Sequence, residues 1–290
     1  SSVGQRKIIH IEPNAIWWRD KGRKIIVEFR THDKFGKRLY YAFKPFWYLI
    51  HYWYTLFANN WQPQLNLNYN TLTVYPDAGT GATTVDGRVE SSGVADTWAN
   101  KIANAGGYNE TSTNPMVIMG FACNATPAWI SVTRGIFTLD TSALGAGATG
   151  VSGVFSLRGT SKSDSNADTP NLNIYGSTPA SNNNLVNGDF AQIGSTAYAT
   201  AIAYADLSTA GYNDFTFNST GNTNISLTGI TKLGTRNANY DVAASDPGAA
   251  VTLDAGLSVN SADAAGTSTD PKLVVTYTPE PVGDDFTIIF

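Results

Sequence analysis

A chain of 290 residues with 42% hydrophobic content can bury a sizeable core, as one large all-β domain or as two modest ones. Charged residues make up only 14%, against about 25% in typical globular domains, and Thr, Ser, Asn, Gly and Ala take their place. This composition argues against a cytosolic helical enzyme. The single cysteine, Cys123, excludes an internal disulfide framework or a multi-cysteine zinc site and is expected to be a small buried hydrophobe.

The net charge of −4 conceals two different halves. Residues 1–70 hold 11 Lys and Arg against 4 Asp and Glu, a net of +7; residues 71–290 hold 8 against 19, a net of −11. All three histidines (His10, His32, His51) and five of the seven tryptophans lie in the first part. Two modules in different surroundings are the simplest account. No apolar run follows the opening SSVGQRK, so no secretory leader is read there.

The first module reads as a small β-meander. RKIIHIE (6–12), RKIIVEFR (23–30) and KRLYYAF (37–43) are rich in β-branched and aromatic residues and are separated by the turn-like RDKG and THDKFG. The segment FKPFWYLIHYWYTLFANNW (43–61) follows. Its Phe46, Leu49, Ile50, Trp53, Leu56 and Phe57 recur at helical spacing, with Pro45 placed as a first helical residue and Asn59-Asn60 as a stop. Such a helix has about 14 residues and spans roughly 21 Å. A bilayer core needs about 20 apolar residues, and this segment carries His51 and three tyrosines, so no membrane insertion is expected. Its polar side also lacks the Lys and Arg of interfacial helices. Two readings stay open: a core helix packed on its own meander, or an aromatic belt that docks on another protein. A thin sheet in a module of this size covers such a helix incompletely, so the docking reading stands beside the core reading.

From Leu72 onward, short β-prone runs alternate with clusters of Gly, Asn, Ser, Pro and Asp. TLTVYP, PMVIMGFA, WISVTRGIFTLD, GVSGVFSLRG, NLNIYGS, TAYATAIAYADL, NDFTFNS, NISLTGITKLGTR, AVTLDAGLSVN and KLVVTYTP predict a sandwich or jelly roll, with room for a short helix at 221–227.

The run VTRGIFTLDTSAL (132–144) followed by GATGVSGVFSLRG (147–159) resembles the DNRLRE-type domains, jelly rolls related to carbohydrate-binding modules. Arg134, Phe137, Asp140 and Leu144 fit the order of that family's motif. VDGRV (85–89) stands where the family places an Asp-containing strand, GYNDFTFN and TGITKLGTR agree, and SADAAGTSTDPKLVVTYTP (261–279) is similar to its closing strand. The resemblance covers residues 72–279. The literal string of the family name is absent, and no sugar-contacting residue carries over. The Asn/Thr/Gly-rich subtype resembles proteins of phage and virus-like genomes, which implies virion structure or adsorption. Jelly rolls of this kind often hold a structural Ca²⁺, which makes Asp77, Asp86, Asp96 and Asp140 candidate ligands.

Catalytic patterns are not evident. The β-module has no histidine, which removes most Ser/His and Cys/His schemes, and no P-loop or G-x-G-x-x-G is present. The pairs Asp164/Asp168 and Asp284/Asp285 are expected to be solvated acids. The basic RDKGRK (19–24) reads as a solvated or interface turn, so no nucleic acid is expected. Beyond the closing strand, EPVGDDFTIIF carries an apolar β-prone run in which Phe286, Ile288 and Phe290 alternate. It is expected to add as a strand to an exposed sheet edge, in its own subunit or in a neighbour, where it would link a homo-oligomer.

The expected fold class is therefore all-β: a jelly-roll β-sandwich preceded by a small β-meander and one aromatic amphipathic helix. The expected function is that of a non-enzymatic virion-surface protein, a capsid decoration, head fibre or tail-fibre subunit that partners other virion proteins. The alternatives are a carbohydrate-binding module of a cell-surface or secreted protein, binding surface glycans, and a subunit of an extracellular filament.

Overall fold

The structure, a computed structural model, describes residues 69–79, 83–111, 113–125, 128–249 and 254–280. The expected meander, the expected helix with Phe46, Leu49, Ile50, Trp53, Leu56 and Phe57, and the expected added strand with Phe286, Ile288 and Phe290 lie outside the described residues. The chain divides into two units, Ser1–Asn66 and Leu67–Phe290, and everything below concerns the second.

The strands are β1 (Asn70–Val74), β2 (Asp86–Ser91), β3 (Tyr108–Glu110), β4 (Met116–Ala125), β5 (Ala128–Asp140) and β6 (Thr149–Asp164), followed by β7 (Leu172–Ser177), β8 (Ile193–Ala197), β9 (Tyr212–Thr216), β10 (Ile230–Asn237), β11 (Asp254–Val259) and β12 (Lys272–Thr278). Two short helices, α1 (Trp98–Ala103) and α2 (Ser219–Thr223), interrupt them. The unit is an all-β sandwich with a jelly-roll-like, entirely antiparallel arrangement. The order is β1-β12-β6-β11-β4-β5-β10-β7-β8, with β2 and β3 added at β5 and β9 at β6.

β6 turns this path into two layers. Its first half pairs with β12 and β9, whereas residues 159–164 pair with β11. Phe155 and Leu157 of β6, Phe215 of β9, and Leu273 and Val275 of β12 therefore face Phe137 and Leu139 of β5 and Leu233 of β10 across one core. Phe137 and Phe155 meet edge to face at 5.1 Å between ring centroids, a favoured aromatic geometry.

A second core covers the opposite face of the larger sheet. Val132 and Ile136 of β5, Phe121 of β4, Tyr175 of β7 and Ile193 of β8 are sealed by Trp98 of α1 and by Phe190 in the 3-10 turn Asn187–Gln192. Burial on both faces accounts for the unbroken buried run from Val132 to Leu139, where a half-exposed strand would alternate. Trp98, Phe121 and Trp129 form an edge-to-face cluster, with the two indoles 4.8 Å apart. Cys123 is buried in the same layer, as the sequence suggests.

Two expectations need adjustment. TAYATAIAYADL (196–207) is not a continuous strand: β8 ends at Ala197, and the residues beyond it make only the isolated bridges Ala199–Phe217 and Ile202–Leu172. The expected helix at 221–227 is α2, displaced toward the N-terminus because the Asn218 side chain caps it by accepting from the Gly221 amide at 2.9 Å.

Candidate functional site

Arg134, the arginine of the quoted motif, is 2% exposed and lies on the outer face of the larger sheet. Its Nε donates to Asp241 Oδ2 at 2.8 Å and its Nη2 to Asp241 Oδ1 at 2.6 Å, while Nη1 reaches the Phe190 carbonyl and Nη2 the Ile102 carbonyl. Arg236 of β10 makes a second fork on the same carboxylate, at 3.0 and 2.7 Å. Burial by itself would raise the Asp241 pKa, but hydrogen bonds from Arg236 and the charge of Arg134 outweigh it and hold the carboxyl below its usual range. With both guanidiniums occupied by protein partners, this cluster fastens the outer layer and is not an open anion site.

A groove of about 580 Å³ opens beside it, over β7, β8 and β10. Thr178, Gln192, Ser195, Tyr198, Asn224 and Lys232 line it. Gly176 makes room for the ring, since any side chain there would run into the Tyr198 hydroxyl. The lining mixes polar groups with apolar surface from Ala191, Ile193 and Ile230 and contains one charged group, Lys232. It offers hydrogen bonds to a hydroxyl-rich or anionic ligand but no paired acid and base.

The four aspartates proposed as calcium ligands have separate local tasks. Asp77 Oδ2 accepts from the Thr83 and Thr84 amides and the Thr84 hydroxyl. Asp96 Oδ1 accepts from the Thr97 amide and the Asn100 side chain ahead of α1, and Asp140 Oδ1 accepts from the Ser142 amide. Asp86 differs. It is fully buried at the start of β2, its Oδ2 accepts from the Ala262 amide at 3.0 Å, and its Oδ1 has no hydrogen-bond partner. Desolvation, with smaller contributions from Asp263 and Asp270, pushes its pKa up to about 7. Asp263 and Asp270 lie in the loop before β12, so the sequence pattern that singled out Asp86 missed its neighbours. Their signal was the Asp-Pro lead-in of the closing strand. Among the described residues no three His, Cys, Asp or Glu side chains converge as a ready-made metal centre.

Asp168 departs from the expected solvated acid: it is 7% exposed, and desolvation raises its pKa. Its Oδ1 accepts from the Asn166 side chain, while Asp164 caps the same turn by accepting from the Asp168 and Thr169 amides. Trp98 and Trp129 are both in the core, with indole N–H groups directed to the Tyr240 carbonyl and to Asp246, so neither can stack on a sugar. Among the described residues no helix is long and apolar enough to cross a membrane.

No protein-family model and no curated protein matches this chain.

Proposed function

We propose that the chain is a non-enzymatic structural protein of a virus particle, a capsid decoration or fibre subunit. The basic, aromatic first 70 residues attach it and the acidic β-sandwich is displayed. The supporting observation is the doubly covered larger sheet. Its two indoles, its motif arginine and the buried Asp241 carboxylate are all used to close the outer layer, which suits a rigid display block better than a reaction centre. The resemblance of residues 132–159 and 261–279 to DNRLRE-type jelly rolls supports the same reading. Cryo-electron microscopy of particles purified from the native source tests it: density for the sandwich on the particle surface is expected, and particles devoid of this chain would refute it.

The groove favours a second reading, binding of surface glycans. Lys232 and the ring of hydroxyl and amide groups around Tyr198 could hold an acidic sugar without aromatic stacking. A glycan array probed with the full chain and with Lys232→Ala tests this reading. Binding that is lost in the variant supports it, and the absence of any bound glycan removes it.

A further inference from the structure

Among the described residues β1 pairs with β12 alone and forms an open edge of the sandwich. Its residues Asn70, Thr71, Leu72, Thr73 and Val74 include no charge and no proline, and their pairing with β12 has no bulge. Those are the devices that usually guard a strand edge. Other edges have them: β3 is three residues long, β8 slips register against β7, and β9 carries the exposed Asp214. Leu72 and Val74 pack against the core between the sheets but stay half-buried, because no described strand lies beyond them.

The chain leaves β12 on the side away from this edge. Thr278 pairs with Thr149 of β6, across β12 from β1, and the Glu280 side chain lies against Gly147, leaving no room there for a side chain. Pro279 and Pro281 bias the residues before them to extended backbone, which opposes a sharp reversal. Residues 281–285 link Glu280 to the β-prone run FTIIF (286–290), with a reach of about 17 Å at full extension. The place beyond β1 of the same subunit lies three strand spacings from β6, about 14 Å in a straight line and more around the end of β12. Reaching it takes a reversal at nearly full stretch. A neighbouring molecule asks for neither.

We propose that residues 286–290 of one copy add as a strand to the β1 edge of a second copy, linking copies head to tail. The backbone groups along the outer side of β1 then gain hydrogen-bond partners. Phe286, Ile288 and Phe290 alternate, so they continue the apolar face begun by Leu72 and Val74, while Thr287 and Ile289 fall on the side of Thr71 and Thr73. Both runs are five residues long and uncharged, and Asp284 and Asp285 stop just short of the pairing. A contact between two different surfaces of one chain repeats, so it builds rings or open chains.

Light scattering of the full chain, combined with binding of a fluorescein-labelled peptide of residues 282–290, tests the proposal. The wild type is expected to form multi-copy species and the chain lacking residues 284–290 to be a monomer. The shortened chain has a vacant edge and should take up one peptide per copy. A peptide carrying Ile288→Asp should bind about tenfold more weakly or worse, because the charge enters an apolar face. Hydrogen exchange reads the acceptor without any substitution in the sandwich: bound peptide is expected to slow the amides of Asn70–Val74. A monomeric wild type would overturn the proposal, since the segment would then lie on its own subunit or on none. Multi-copy mass retained by the shortened chain, as direct pairing of two β1 edges would give, overturns it as well. So does peptide protection confined to other strands.

Discussion

Arg134 and Asp241 stand 107 residues apart in the chain and meet at 2.6 Å with side-chain exposures of 2% and 1%. This pair, shared with Arg236, joins β5 and β10 to the segment Ala238–Val242 and, through the Phe190 and Ile102 carbonyls, to the 3-10 turn and α1. The outer layer is small and contains many polar loops. Its attachment to the sheet depends on this cluster as much as on apolar area. Replacing Asp241 with Ala leaves two guanidiniums facing each other, one of them fully buried. We expect a loss of about 3–5 kcal/mol in urea unfolding. A loss below about 1 kcal/mol would show that the layer is held by its aromatic contacts alone.

Asp86 and Asp241 predict opposite responses to pH. The Asp86 pKa is raised from 3.8 to about 7, so the folded state holds its proton more tightly than the unfolded state. The stability from this proton is fully present below about pH 4 and is lost as pH rises through 7, on the order of 4 kcal/mol at about 1.4 kcal/mol per unit. Burial also raises Asp168 and Asp270, which adds to the same slope. Asp241 is lowered, so its contribution is present above about pH 4 and is lost as pH falls through its folded value. Without added calcium, Tm measured from pH 4 to 8 should decline toward the alkaline end, and Asp86→Asn should flatten the decline. An equal slope in the variant would contradict this assignment.

Residues 67–280 should fold without the rest of the chain. β12 closes the sandwich against β6 and β1, and the described core draws on residues 72–277. Circular dichroism of the fragment should show β-structure with one cooperative melt, and an unfolded fragment would disprove its independence.

The run FTIIF should matter for assembly and not for folding. Deleting residues 284–290 is expected to leave Tm unchanged and to reduce the particle mass measured by light scattering. Unchanged mass with intact assembly would eliminate strand addition between subunits.

The strands were legible wherever β-branched and aromatic residues gathered between Gly and Asn turns, as in WISVTRGIFTLD, which forms most of β5. TAYATAIAYADL has the same alternation but does not pair continuously, because a strand needs a partner edge that its own residues do not specify. α1 has six residues, too few for a helical period to register, and is recognised only by its cap, where Thr97 Oγ1 accepts from the Asn100 amide at 3.4 Å. The value of Arg134 as a motif residue was visible, whereas its partner Asp241 was not. Asp86 was a calcium candidate from the start, but its neighbours enter only when the sandwich closes and brings Ala262, 176 residues later, to its carboxylate.

In the proposed role the aromatic segment attaches the protein to a particle while the sandwich is displayed. The most direct measurement is incorporation of full-length Trp53→Ala/Phe57→Ala into particles, compared with wild type by quantitative immunoblotting of purified virions. Interface aromatics of this kind often carry about 2 kcal/mol or more each. Incorporation is expected to fall at least tenfold while the circular dichroism and Tm of the sandwich stay unchanged. Wild-type incorporation of the folded double variant would contradict it.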